Sequence, residues 1–224
     1  MSRTAVVAGA TGLVGSELVK LLLDSPDYDR IVVLARRSVD PEHPHLEQII
    51  VDFDKLEELP GGLFKGADLY CTLGTTMKKA GSREAFKRVD YDYPLALGRL
   101  AKRHGASAML IVTAMGSSTG SMFYYSRVKG EAERDLIGLE LPLLRIFRPS
   151  LIIGDRQEHR AGEQLAAAVA ERMRFLFAGP LARYKPNHAR SIAKAMSRAA
   201  QMQEHAPAAV KIYPSWEIAE LAGD

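Results

Sequence analysis

The sequence predicts an α/β protein built on a doubly wound parallel sheet, with a small C-terminal lobe on the substrate side. Three observations predict it. Strand-like apolar runs alternate with helical patterns along most of the chain. A glycine-punctuated turn joins the first run to the first helix. Polar residues and glycines gather just after successive runs, at the strand ends where sheets of this kind hold ligands.

The elements follow in order. Residues 5–8 form the first strand, and residues 13–23 carry apolar side chains at helical spacing. Residues 31–35 and 48–51 read as the second and third strands. The fourth, residues 67–73, follows Gly61, Gly62 and Gly66. A long helical pattern covers residues 83–104, with a bend expected near Pro94. Residues 108–113 form the fifth strand, 123–137 a helix and 143–147 the sixth strand. From Pro149 the pattern loosens. Residues 155–162 are polar and read as a loop. Residues 163–173 and 189–203 read as helices, 210–213 as a short strand and 216–221 as a closing helical turn. A chain of 224 residues suits a single domain, residues 1–224. Within it, residues 1–150 form a dinucleotide-binding core and residues 151–224 a lobe over the sheet's ligand edge.

Composition narrows the function. Hydrophobic residues make up 47% of the chain, enough for a substantial core. A formal charge of +3 is too mild to imply nucleic acid as a partner. The one cysteine excludes an internal disulfide framework and agrees with a reducing compartment. Cys71 falls in an apolar strand, where inert packing is expected. The start shows no signal-peptide pattern, and no apolar run is long enough to span a membrane. A cytoplasmic protein, monomeric or homodimeric, is the expectation. His43 and His45 flank Pro44 without the further cysteines or acids of a metal site, so no metal is expected.

The turn reads Gly9-Ala10-Thr11-Gly12-Leu13-Val14-Gly15. Gly9 can take backbone angles that a side chain forbids, Gly12 lets the backbone approach a pyrophosphate, and Gly15 lets the helix lie close to the strand. Free N–H groups of the first helical turn, aided by the helix dipole, would face phosphates. The same glycines would also serve a plain turn without a ligand.

Tyr125 and Lys129 stand at i and i+4, on one face of the helix after strand five. A phenol has a reference pKa of about 10. A nearby ammonium favours the phenolate, so such a pair can protonate a carbonyl oxygen as hydride arrives, or take the proton in reverse. The lysine can also bond a cofactor ribose. Thr113 ends strand five, and its hydroxyl could orient a substrate carbonyl. Ser117, Ser118 and Ser121 in the following loop offer the same group. β-Branched packing is the alternative for Thr113. Arg36 and Arg37 follow strand two, where a chain that prefers NAD(H) usually places an acid. Two forked donors suit a 2′-phosphate instead, so NADP(H) is expected in preference to NAD(H). Arg156 and Arg160 lie where a substrate loop is expected and suit an acidic substrate, but a solvated, mutually paired surface loop is the reading slightly preferred.

The glycine turn, the Tyr125/Lys129 pair and Phe147-Arg148-Pro149-Ser150 resemble the short-chain dehydrogenase/reductase superfamily. Leu73-Gly74-Thr75-Thr76, Lys79-Ala80-Gly81, Arg88-Val89-Asp90 and Val128-Lys129-Gly130-Glu131 resemble its atypical Tat-interacting-protein type, as does the segment from Asp155 to Glu163. The resemblance runs over nearly the whole chain. It implies a Rossmann fold, NADP(H) and a catalytic set of Thr113, Tyr125 and Lys129, with threonine standing where that family usually has serine. It implies cofactor contacts from Gly9, Thr11, Gly12, Leu13, Val14 and Gly15, and from Arg36, Arg37, Asp52 and Phe53. Further contacts fall to Leu73, Gly74, Thr75 and Thr76, to Tyr125 and Lys129, and to Pro149, Ser150 and Leu151. Asp52 would accept a bond from the adenine amine, and a loop cap is its other role. The expected partner is a small carbonyl or alcohol. The alternative is a cofactor-sensing regulator with little turnover.

Overall fold

A computed structural model describes residues 3–38, 43–154, 185–202 and 209–224. Seven parallel strands form one sheet: β1 (Thr4–Ala8), β2 (Arg30–Ala35), β3 (Leu46–Ile50), β4 (Asp68–Cys71), β5 (Ala108–Val112), β6 (Leu144–Arg148) and a C-terminal strand. A two-residue parallel ladder, β7 (Ile152–Ile153) with β8 (Asn187–His188), stands apart from it. The C-terminal strand, β9 (Val210–Pro214), pairs with β6, giving the order β3-β2-β1-β4-β5-β6-β9. The order reverses between β1 and β4, so a crevice opens there beyond the strands' carboxyl ends.

Successive side chains alternate between the two faces. Val7, Val33, Tyr70 and Leu110 join a core with α1 (Leu13–Leu23) and a later helix, while Val6, Val32, Leu69 and Met109 join the other. Burial on both faces explains why the strands read as continuous apolar runs. On the second face lie α4 (Tyr93–His104) and α5 (Tyr124–Ile137), while the short α2 (Met77–Ala80) and α3 (Arg83–Lys87) link β4 to α4. On the first lie α6 (Ala189–Gln201), packed against α1, and α7 (Ser215–Ala222).

Some boundaries differ from the sequence reading. The segment from Arg83 to His104 is not one α-helix: a π-helical turn, Arg88–Asp92, interrupts it ahead of Pro94. Pro94 sits in the first turn of α4, where its missing N–H costs little. In the C-terminal quarter, β9 and α6 belong to the main sheet and its face, not to a lobe over the ligand edge. Val210 and Ile212 supply apolar contacts that an exposed strand could not satisfy. The helix expected over 163–173, together with Arg156 and Arg160, lies outside the described residues.

Candidate active site

The glycine turn folds as its residues dictate. Gly9 has φ +94°, and a Cβ there would meet the Thr72 backbone at 2.7 Å. A Cβ on Gly15 would sit 2.1 Å from the Gly9 carbonyl oxygen. Both positions therefore exclude any side chain, and β1, β4 and α1 close on one another. Gly12 differs: its Cβ would stand 3.3 Å from the Gly9 oxygen, in an exposed place. Gly12 is also the N-cap of α1, and no side chain caps that end. Its own N–H donates to Gly9 O at 3.0 Å, which turns the next amides outward. Thr11 is exposed, Leu13 is half-buried, and Val14 points into the core, so Val14 could offer a ligand only its N–H.

Arg36 and Arg37 are exposed just past β2. Asp52 accepts a hydrogen bond from the Asp54 N–H at 3.0 Å and caps a 3-10 turn, Phe53–Glu58. The Phe53 side chain is buried against Tyr93, so only its backbone could face a cofactor. After β4, Gly74 is exposed, while the Thr76 hydroxyl caps α2 by accepting from Lys79 N.

Lys129 projects inward from α5 and is almost wholly buried. Its Nζ lies 2.8 Å from Asp90 Oδ1 on the π-helical turn. Burial alone would lower the Lys129 pKa. Burial is the largest single influence, but Asp90, Tyr125 and Cys71 together outweigh it, so the ammonium is held charged above its ordinary range. The Asp90 carboxylate was not assigned a role from sequence, although Asp90 stood in a quoted motif. Burial also pushes the Cys71 thiol up to about 11, so it stays protonated and inert.

Tyr125 stands one turn before Lys129 and lines an open cavity of about 340 Å³ together with Ala114, Met115, Pro149, Ser150 and Leu151. The Phe86 ring, 5.5 Å away, backs the Tyr125 ring. Gly130 explains how the loop before α5 reaches this place. A Cβ there would strike the Ser118 backbone at 2.3 Å, so only glycine lets that loop ride on the helix.

Thr113 is not among the residues that line this cavity, and its hydroxyl donates to Glu133 Oε1 at 2.5 Å, with Phe147 O at 3.3 Å. Glu133 is buried and paired with Arg148, whose Nε lies 3.0 and 3.1 Å from its two oxygens. The cause is strand alternation. Val112 faces the α1 side, so Thr113 faces α5, where a carboxylate waits. The neighbouring wall position is Ala114, which has no hydroxyl. Ser117 is spent on Ala114 O, and Ser121 accepts from Phe123 N. Ser150 lines the cavity, with its hydroxyl donating to Lys185 O at 2.6 Å.

The comparisons with known proteins meet this geometry. The family described as "NAD dependent epimerase/dehydratase family" matches residues 5–212. The chain belongs to that family. Among its relatives, Protein HTATIP2 of Rattus norvegicus is 37% identical over 169 residues, 74% of this chain and 69% of that protein. Protein FMP52, mitochondrial, of Candida albicans is 36% identical over 170 residues, 73% of each. These relatives place the chain with the atypical, Tat-interacting-protein type. Solved structures share the fold. MoeE5 in complex with UDP-glucose and NAD matches with a TM-score of 0.66 at 15% identity, covering 98% of this chain and 81% of that one. UDP-glucuronic acid 4-epimerase from Bacillus cereus in complex with NAD matches at 0.67 and 14%, covering 94% and 77%. The fold is therefore the Rossmann-like one expected. No helix among the described residues is long and apolar enough to cross a membrane.

Proposed function

We propose that this chain is an NADP(H)-dependent oxidoreductase acting on a small carbonyl or alcohol, with Tyr125 as acid/base. The observation that carries the reading is Tyr125 lining an open cavity, one helical turn from the buried, charged Lys129. The glycine cradle at residues 9–15, which a Cβ would fill, suits a dinucleotide pyrophosphate, and exposed Arg36 and Arg37 suit a 2′-phosphate. When bound, the nicotinamide supplies or accepts the hydride. Tyr125 would donate its phenolic proton to the substrate oxygen, or take it in the reverse direction. Lys129 would steady charge beside that oxygen and bond the ribose. The Pro149–Leu151 wall would flank the reacting ring. An epimerase or dehydratase that regenerates its cofactor would use the same step. The single cysteine, Cys71, is free and suits a reducing compartment. The cytoplasm fits, and the FMP52 relatives carry the word mitochondrial in their names.

A cofactor sensor with little turnover is the second reading. What favours it is Thr113, whose hydroxyl is committed to Glu133 while Ala114 lines the cavity. One experiment separates the two. The protein is titrated with NADPH and NADH side by side, then screened against carbonyl substrates beside Tyr125→Phe. We expect tighter NADPH than NADH binding, and turnover that Tyr125→Phe abolishes while binding survives. Binding without turnover in the parent selects the sensor. Binding of neither cofactor ends both readings.

A further inference from the structure

We propose that Asp90 is a positioning residue that holds Lys129 in place and ties the loop after β4 to the helix carrying Tyr125. The functional part of this claim rests on the oxidoreductase reading; the Asp90–Lys129 linkage stands apart from it. Asp90 is 1% exposed and sits on the π-helical turn between α3 and α4, a wider turn of the kind found often at functional sites. Its two oxygens serve different elements. Oδ2 accepts the Thr75 N–H at 2.9 Å, in the loop after β4. Oδ1 lies 2.8 Å from Lys129 Nζ on α5, an ion pair, and has no aligned hydrogen-bond partner among the described residues. Gly74 completes the arrangement. A Cβ there would stand 3.6 Å from Asp90 Oδ1 and 3.8 Å from Lys129 Nζ, so the bare backbone passes directly beside the ion pair. One carboxylate thus joins the π turn, the cofactor-side loop and the catalytic helix.

The physical need is clear. A buried ammonium with no counter-charge sheds its proton rather than remain charged. The groups facing Lys129 are Asp90 from the π turn, Tyr125 from its own helix and Cys71 from β4. Of these, Cys71 is a neutral thiol and Tyr125 is partly in solvent. Asp90 is the anion that keeps Lys129 charged.

The test is Asp90→Asn, read in two ways. The Lys129 ammonium is titrated by nitrogen NMR on lysine-labelled protein, assigned with Lys129→Met. NADPH affinity is measured from pH 6 to pH 10. In the parent we expect Lys129 charged throughout and a flat affinity. In Asp90→Asn we expect the ammonium to titrate several units lower, in the direction burial dictates, and NADPH affinity to fall up to about tenfold per pH unit above that point. Asp90→Glu, which keeps the charge, should restore the flat profile. An unchanged Lys129 titration in Asp90→Asn overturns the proposal. A parent that binds no nicotinamide cofactor removes the oxidoreductase reading and leaves the linkage to be judged on the ammonium titration. Should Asp90→Asn fail to fold, Asp90→Asn/Lys129→Met removes both charges and must recover folding; failure to recover it also overturns the linkage.

Discussion

Thr113 shows what one residue's direction decides. Its hydroxyl donates to Glu133, which Arg148 also holds, so Thr113→Val should act on stability and not on substrate orientation. Valine fills the same space but leaves a buried carboxylate oxygen short of a donor, at a cost of ~1–3 kcal/mol. Denaturant melts check this. A hydroxyl that orients the reacting oxygen would instead cost roughly 10²–10³ in kcat while sparing stability. We expect turnover within a few-fold of the parent on any carbonyl that Tyr125→Phe no longer reduces. Position at a strand end was legible in the sequence; the face was not, because it depends on the pleat and on what α5 presents. A signal did exist. Tyr125, Lys129 and Glu133 follow one another at four-residue steps, and a glutamate in that row on a buried helix face must find partners. Asp90 had no such signal, since its partner is distant in sequence.

At the scale of the element, the glycine turn separates architecture from binding. Gly15 has no room for a Cβ, whereas Gly12 has nearly enough. Gly15→Ala should therefore destabilise the βα unit by ~1–3 kcal/mol through overpacking. Gly12→Ala should cost no more than ~1 kcal/mol, the difference between glycine and alanine at an N-cap. It should still weaken NADPH binding by at least about tenfold, because the methyl stands where the backbone must approach the pyrophosphate. Paired melts and NADPH titrations read both variants; a Gly12→Ala protein that binds NADPH like the parent would reduce the turn to scaffolding. The sequence carried this element well, since spacing and flanking pattern are local. It carried the Arg83–His104 segment less well. A π turn is marked by an i→i+5 bond, here Tyr93 N–H to Arg88 O, which leaves no pattern in the sequence. Gly130 was equally opaque, because the Ser118 backbone that requires it lies across a loop.

At the scale of the whole molecule, the two ends of the sheet do different work. The candidate site gathers at the carboxyl ends. At the other end, Arg3, Tyr28, Asp68 and Tyr70 form a buried polar network. Tyr28 donates to Asp68 Oδ2 at 2.6 Å and meets the Tyr70 hydroxyl at 2.8 Å. Arg3 pairs with Asp68 at 2.6 Å and also donates to Ala200 O, joining the first strand to α6. Alternating apolar runs announced the parallel sheet, but no local pattern joins four polar residues spread over 68 positions, nor brings β9 beside β6. Asp68 begins a strand whose far end reaches the site, and four residues at about 3.3 Å each separate the two regions. Tyr28→Phe keeps the edge-on packing with Tyr70, whose ring centroid is 6.4 Å away, and removes only the hydroxyl. It should lower stability by ~1–3 kcal/mol, since Asp68 loses a buried donor, and leave NADPH affinity within about twofold. Burial, then the neighbouring Tyr70 and Asp68, raises the Tyr28 pKa, and burial likewise raises that of Tyr70. An acid whose folded pKa is raised contributes stability that is whole below its unfolded value of about 10 and is lost above it. The deficit of Tyr28→Phe should accordingly be the same at pH 6 and pH 9 and shrink only in stronger alkali, as urea melts at three pH values would register. A deficit that vanished by pH 9, or a matching loss of cofactor affinity, would mean that the two ends of the sheet are not independent.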